Sequence, residues 1–118
     1  MKDSIEYSEE EIIEIYHGTW DFFSPYSEQI SNLCRRYNVN KLFAFGSVLT
    51  DRFSENSDLD LIVDFDKQAV KDHFINYFDF KYSLENVFKR EVDLIEEQPI
   101  RNSYLRKNIE NSKILIYE

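Results

Sequence analysis

Two short runs mark the middle of the chain, the first continuously apolar and the second alternating apolar with polar positions. The first, Leu42-Phe43-Ala44-Phe45, ends in Gly46-Ser47. It predicts a strand over 41–45 feeding a small, permissive turn, with a helical turn over 48–50. The second predicts a strand over 58–65, with Asp58, Asp60, Ile62 and Asp64 on one face and Leu59, Leu61, Val63 and Phe65 on the other. A third run, 90–95, sends Glu91, Asp93 and Ile95 one way and Val92 and Leu94 the other. A last apolar run predicts a strand over 113–117.

Helical spacing fills the intervals. Ser24-Pro25 reads as an N-cap with proline at the first helical position, and Ile30, Leu33, Cys34 and Tyr37 then recur as one stripe, ended by Asn38-Val39-Asn40. Cys34 lies in that stripe as a packing residue. A longer helix is expected over 72–89, facing inward through Phe74, Tyr77, Phe78, Leu84, Val87 and Phe88, with His73 as a surface or capping residue. A short helix over 102–111 would turn Leu105 and Ile109 inward. Upstream, Ser8 can cap a helix through Ile15 that Gly18 ends, and the cluster Tyr16, Trp20, Phe22 and Phe23 is apolar enough to pack. The expected organisation is an N-terminal extension, 1–22, packed on a domain spanning 23–118. The order helix, strand, strand, helix, strand, helix, strand makes this a small α/β (α+β) domain with a mixed sheet.

A chain of 118 residues with 42% hydrophobic and 16% aromatic content makes one domain with ample core material. The formal net charge of −9 argues against a broad nucleic-acid footprint, yet leaves room for a nucleotide whose phosphates are neutralised by metal ions. The single Cys34 excludes an internal disulfide and any multi-cysteine metal site. With no apolar run near membrane length and no signal peptide, a soluble cytoplasmic protein is expected.

The candidate chemistry lies where the first two strands begin and end. Gly46-Ser47 can offer backbone N–H groups and a hydroxyl to an anion. Ten residues, Val48 to Ser57, separate it from Asp58-x-Asp60. The two aspartates on one strand face have Cα atoms roughly 6.5 Å apart, so their carboxylates can converge on hard cations. Three acids on one strand face are costly unless something balances them. Asp64 and Asp66, toward the far end, read as turn or capping residues. If the third strand neighbours the second, about 4.8 Å away, Asp93 stands beside Asp58 and Asp60. Arg52 lies in the connecting loop, where a cation could meet a phosphate.

Gly46-Ser47, the ten-residue spacing, Asp58-x-Asp60 and the strand-borne Asp93 together resemble the nucleotidyltransferase pattern of the DNA polymerase β superfamily. The Phe-Gly-Ser entry and Ser57-Asp58-Leu59-Asp60-Leu61 look like its minimal members, over about residues 26–117. The resemblance implies ATP with its phosphates at Gly46-Ser47, and two Mg²⁺ ions held by Asp58 and Asp60. Asp93 would ligate the catalytic metal and help deprotonate an acceptor hydroxyl. Pyrophosphate then leaves after in-line attack on the α-phosphorus, and Arg52 is a candidate phosphate contact. The resemblance implies a catalytic domain that runs to the end of this sequence, so no added helical domain to hold an acceptor is expected, and a partner protein is expected to supply the acceptor site. Stand-alone members are similar to antitoxins paired with HEPN-type ribonuclease toxins, which transfer AMP to a toxin tyrosine. Two other classes stay open: a non-catalytic antitoxin that neutralises its partner by complex formation, and a nucleotidyltransferase acting on a small molecule or RNA.

Overall fold

The structure, a computed structural model, describes residues 18–50, 52–97 and 113–118. The helices expected over 8–15 and 102–111 lie outside these residues, as does Tyr16. Among the described residues, four strands form one mixed sheet in the order β3-β2-β1-β4: β1 (Val39–Phe45), β2 (Leu59–Phe65), β3 (Val92–Glu96) and β4 (Ile114–Tyr117). β1 runs antiparallel to both β2 and β4. β2 and β3 are parallel, because the chain crosses between them through a helix that returns it to the same end of the sheet.

That helix is α3 (His73–Phe88). Asp72 caps it by accepting the Ile75 N–H at 3.1 Å, and Lys89 ends it in the left-handed region at φ 57°. The two residues expected at its ends are thus its caps. The N-terminal side is also helical. Residues 18–23 form α1, a 3-10 turn (Ser24–Tyr26) follows, and α2 (Ser27–Arg36) completes the run. Gly18, expected to end a helix, is itself helical and exposed, where glycine costs only about 1 kcal/mol relative to alanine. Ser24 is not a side-chain cap. Pro25 sits instead in the first residues of the tight turn, where its missing N–H is not needed.

α2 and α3 cover one face of the sheet. Leu42 and Ala44 from β1, Leu59, Leu61, Val63 and Phe65 from β2, and Val92 and Leu94 from β3 pack against Ile30 and Cys34 of α2 and Phe80, Leu84 and Phe88 of α3. Cys34 is fully buried, and burial pushes its thiol up to about 12. Phe23 is buried in the same core, while Phe22 packs against its margin, 5.0 Å from the Phe53 ring. On α3 the inward stripe differs from the expected one. Stepping back from Phe88 by fours gives Leu84 and Phe80, whereas Phe74 is 70% exposed. Phe74 and Phe78 lie on the neighbouring side of the helix, their rings 4.7 Å apart. No helix among the described residues is long and apolar enough to cross a membrane.

Phe80→Ala is expected to cost about 3–5 kcal/mol in urea unfolding, since it opens a cavity under the sheet. Phe74→Ala, on the exposed side, should stay within about 0.5 kcal/mol of the parent chain.

Candidate active site

The strand registers bring the candidate residues to one end of the sheet. β1 and β2 pair Phe45 with Asp60, and β2 and β3 pair Asp60 with Asp93. Two carboxylates therefore occupy neighbouring positions on adjacent strands, facing away from the core that Leu59, Leu61, Val92 and Leu94 enter. Asp58 falls just before β2, not in it as expected; its side chain is exposed at the strand's entry. Likewise β3 begins at Val92, so Arg90 and Glu91 belong to the preceding loop, and β1 begins earlier, at Val39. Asp64 lies inside β2, opposite Lys41, whereas Asp66 makes the expected turn by accepting the Gln68 N–H at 3.2 Å.

Directly after β1 the chain enters a 3-10 turn, Gly46–Leu49. Gly46 has φ +74°, and a Cβ placed there would meet Asp60 Oδ2 at 2.3 Å. Glycine is required twice over, by backbone conformation and by the close approach of a carboxylate. The Ser47 backbone N–H faces the Asp60 carboxylate closely enough to favour its charged form. The Ser47 hydroxyl makes only a long contact, 3.5 Å, to the Asp58 carbonyl oxygen and is readily redirected to a ligand. Arg52 is exposed in the loop beyond; its backbone N–H donates to the Thr50 hydroxyl at 3.2 Å. Among the described residues, nothing joins its guanidinium to the carboxylates.

β3 is held from outside by α3. The Glu85 carboxylate accepts the Val92 N–H at 3.0 Å, and the Tyr77 hydroxyl donates to the Leu94 carbonyl. These two bonds flank Asp93 and engage two of the backbone groups that β3 turns outward at the sheet's edge. Burial, reinforced by Asp93 and then Glu96, raises the Tyr77 hydroxyl above the usual tyrosine range. Neither Glu85 nor Tyr77 was legible as a support, because both act on backbone atoms of a distant strand.

The electrostatics are unbalanced. Burial raises the Asp60 carboxyl above the ordinary aspartate range, the neighbouring Asp93 and, less strongly, Asp58 raise it further, and only the Ser47 N–H opposes them. The paired Asp60 and Asp93 carboxylates leave a surplus of negative charge at this end of the sheet, and carboxylate oxygens of this kind suit a hard divalent cation. Among the described residues, no three His, Cys, Asp or Glu side chains come together in a group that could hold a metal ion by themselves. That is compatible with Mg²⁺, which is usually held by one or two carboxylates with water and substrate phosphates completing the shell.

A comparison with protein families matches residues 28–118 to the family described as polymerase beta, nucleotidyltransferase. The chain belongs to this nucleotidyltransferase family. It is 33% identical over 81 residues to a Methanocaldococcus jannaschii protein named "Putative protein adenylyltransferase MJ1379", an alignment covering 69% of this chain and 80% of the relative. A solved structure of a "putative minimal nucleotidyltransferase" superposes with a TM-score of 0.64 at 26% identity, over 80% of this chain and 92% of its own. A chain from the complex of a tri-AMPylated Shewanella oneidensis HEPN toxin with an MNT antitoxin gives a TM-score of 0.54 at 16% identity, over 80% of this chain and 71% of its own; it shares the fold. The polymerase β-type fold expected from the sequence is therefore the one this nucleotidyltransferase has.

Two outcomes follow from the geometry. Gly46→Ala should destabilise the fold by about 1–3 kcal/mol from backbone strain alone, measured by urea unfolding, besides displacing Asp60. For Asp60, a carboxyl raised in the folded state stabilises the fold only while protonated. That contribution is complete below the ordinary aspartate range and is lost as the pH rises through the raised value. Asp60→Asn should accordingly raise the Tm at pH 7, and the difference should close as the pH is lowered toward the aspartate range.

Proposed function

We propose that the protein is a Mg²⁺-dependent protein adenylyltransferase that moves AMP from ATP to a tyrosine hydroxyl of a HEPN-type toxin, acting as its antitoxin. The observation that carries this reading is the lateral pairing of Asp60 with Asp93 beside the Gly46–Ser47 turn. The family supports nucleotidyl transfer, and the relatives named for protein adenylyl transfer and for a HEPN toxin complex support the acceptor.

In this reading Asp58, Asp60 and Asp93 hold two Mg²⁺ ions, which when bound would offset the charge of the attacking oxygen and the departing pyrophosphate. Gly46 leaves space for the Asp60 carboxylate, and the Ser47 N–H keeps it oriented. The Ser47 hydroxyl turns from the Asp58 carbonyl to a phosphate oxygen, with Arg52 as a further candidate phosphate contact. Asp93, on the more exposed strand, takes the proton of the acceptor hydroxyl. A bond forms from that oxygen to the α-phosphorus as the bond to pyrophosphate breaks in line. Positioning and charge stabilisation supply most of such a reaction, so few further side chains are needed. ATP binding, the Mg²⁺ requirement and a cytoplasmic site of action all belong to this proposal.

The test is incubation of the protein with its HEPN-type partner, Mg²⁺ and ATP radiolabelled at the α-phosphate, with the modified residue mapped by mass spectrometry. Label on a toxin tyrosine, abolished by EDTA and by Asp58→Ala or Asp60→Ala in folded variants, is the expected result. A toxin neutralised in a stable complex without any label would make the protein a binding module instead.

A further inference from the structure

The loop that delivers Asp58 is held by one side chain from outside it. Arg90 precedes β3 and is half-buried. Its Nη1 donates to two backbone carbonyls of that loop, Ser54 O at 3.0 Å and Ser57 O at 3.1 Å. The guanidinium lies over the Phe53 ring, 4.6 Å from its centroid, and over the Phe22 ring at 5.2 Å. Phe22 and Phe53 in turn meet edge to face at 5.0 Å. The loop adds its own bonds, Ser57 N–H to Ser54 O at 3.1 Å and Ser54 N–H to the Ser57 hydroxyl at 3.0 Å. Next along the chain, the Leu59 N–H donates to Glu91 O at 2.9 Å. Residues 90–93 thus grip the backbone on both sides of Asp58 and carry Asp93 themselves.

We infer that Arg90 is a positioning residue, which sets Asp58 relative to Asp60 and Asp93 by bonding the Ser54 and Ser57 carbonyls while its guanidinium rests over the Phe53 and Phe22 rings. The inference rests on the proposed reading of Asp58 as a metal-binding carboxylate. A charged donor serving two carbonyls while stacked on aromatic rings makes strong, directional contacts. A planar guanidinium can stack and donate at once, which an ammonium cannot. Asp58 is exposed and precedes the strand, so the ladder of the sheet does not fix it as it fixes Asp60 and Asp93. The clamp does what the sheet leaves undone.

The experiment compares the parent chain, Arg90→Met, Arg90→Lys and Asp58→Ala. It measures Mn²⁺ affinity by electron paramagnetic resonance in the presence of a non-hydrolysable ATP analogue, and kcat and KM for AMP transfer. Arg90→Met is expected to weaken Mn²⁺ binding and lower kcat by about 10- to 100-fold, the usual effect of losing a support behind a metal ligand, with a smaller change in KM for ATP. Arg90→Lys should recover part of both. If Arg90→Met fails to fold, Arg90→Lys, which keeps the charge and the apolar stem, carries the test. Mn²⁺ affinity and kcat at parental values in a folded Arg90 variant with a lowered Tm would overturn the inference and leave Arg90 a structural residue. A parent chain whose Mn²⁺ binding does not depend on Asp58 would instead overturn the metal-site reading, and the inference with it.

Discussion

Two carboxylates that repel each other are held in register on adjacent parallel strands, and most of the molecule is the means of holding them there. Asp60 and Asp93 point away from a face whose other members, Leu59, Leu61, Val92 and Leu94, are almost wholly buried. A slip of one position between β2 and β3 would turn those residues to water and the acids into the core. The hydrophobic effect, acting on one side of the sheet, thereby sets the spacing of charges on the other. α3 contributes twice: it is the crossover that makes the pair parallel, and through Glu85 and Tyr77 it secures the strand that bears Asp93.

The acidity of the whole chain adds to the local problem. ATP is itself a polyanion, and a protein of net charge −9 repels it at long range, although ionic strength near physiological screens that field beyond about 8 Å. Inside the proposed site the screening is weaker, and a triphosphate brought beside three carboxylates would be tolerable only with cations between them. Under the proposed chemistry the cations would therefore be part of what makes binding possible, and not an addition to a site already formed.

Much of this was written in the pattern of residues. Alternation in 58–65 and 90–95 put Asp60 and Asp93 on the opposite face from Leu59, Leu61, Val92 and Leu94, because period-two spacing sends neighbours to opposite sides, but it did not reveal that Asp58 and Glu91 precede their strands. Gly46-Ser47 could be located, but not the reason for its glycine, which is the approach of Asp60 from another strand. Periodicity failed on α3, where nine aromatic and aliphatic residues in sixteen make several stripes equally plausible, and only contact with the sheet selects Phe80 over Phe74. It failed at α1 and the Ser24-Pro25 turn because a short 3-10 turn there takes Pro25 among its first residues, where no N–H is needed, and links two helices without a fresh capped start. Arg90, Glu85 and Tyr77 escaped notice for a different reason: each bonds to a distant backbone, whose position no local motif records.

Cys34 gives the molecule a practical property. As the chain's single thiol, wholly enclosed between α2 and the sheet and held far from its thiolate form, it is silent toward alkylating reagents while the protein is folded. A cysteine introduced on the surface would be the one reactive sulfur in the molecule. Spectroscopic probes or cross-linkers could then be attached at a chosen point without first removing the native residue, and reaction of Cys34 itself would report the opening of the core.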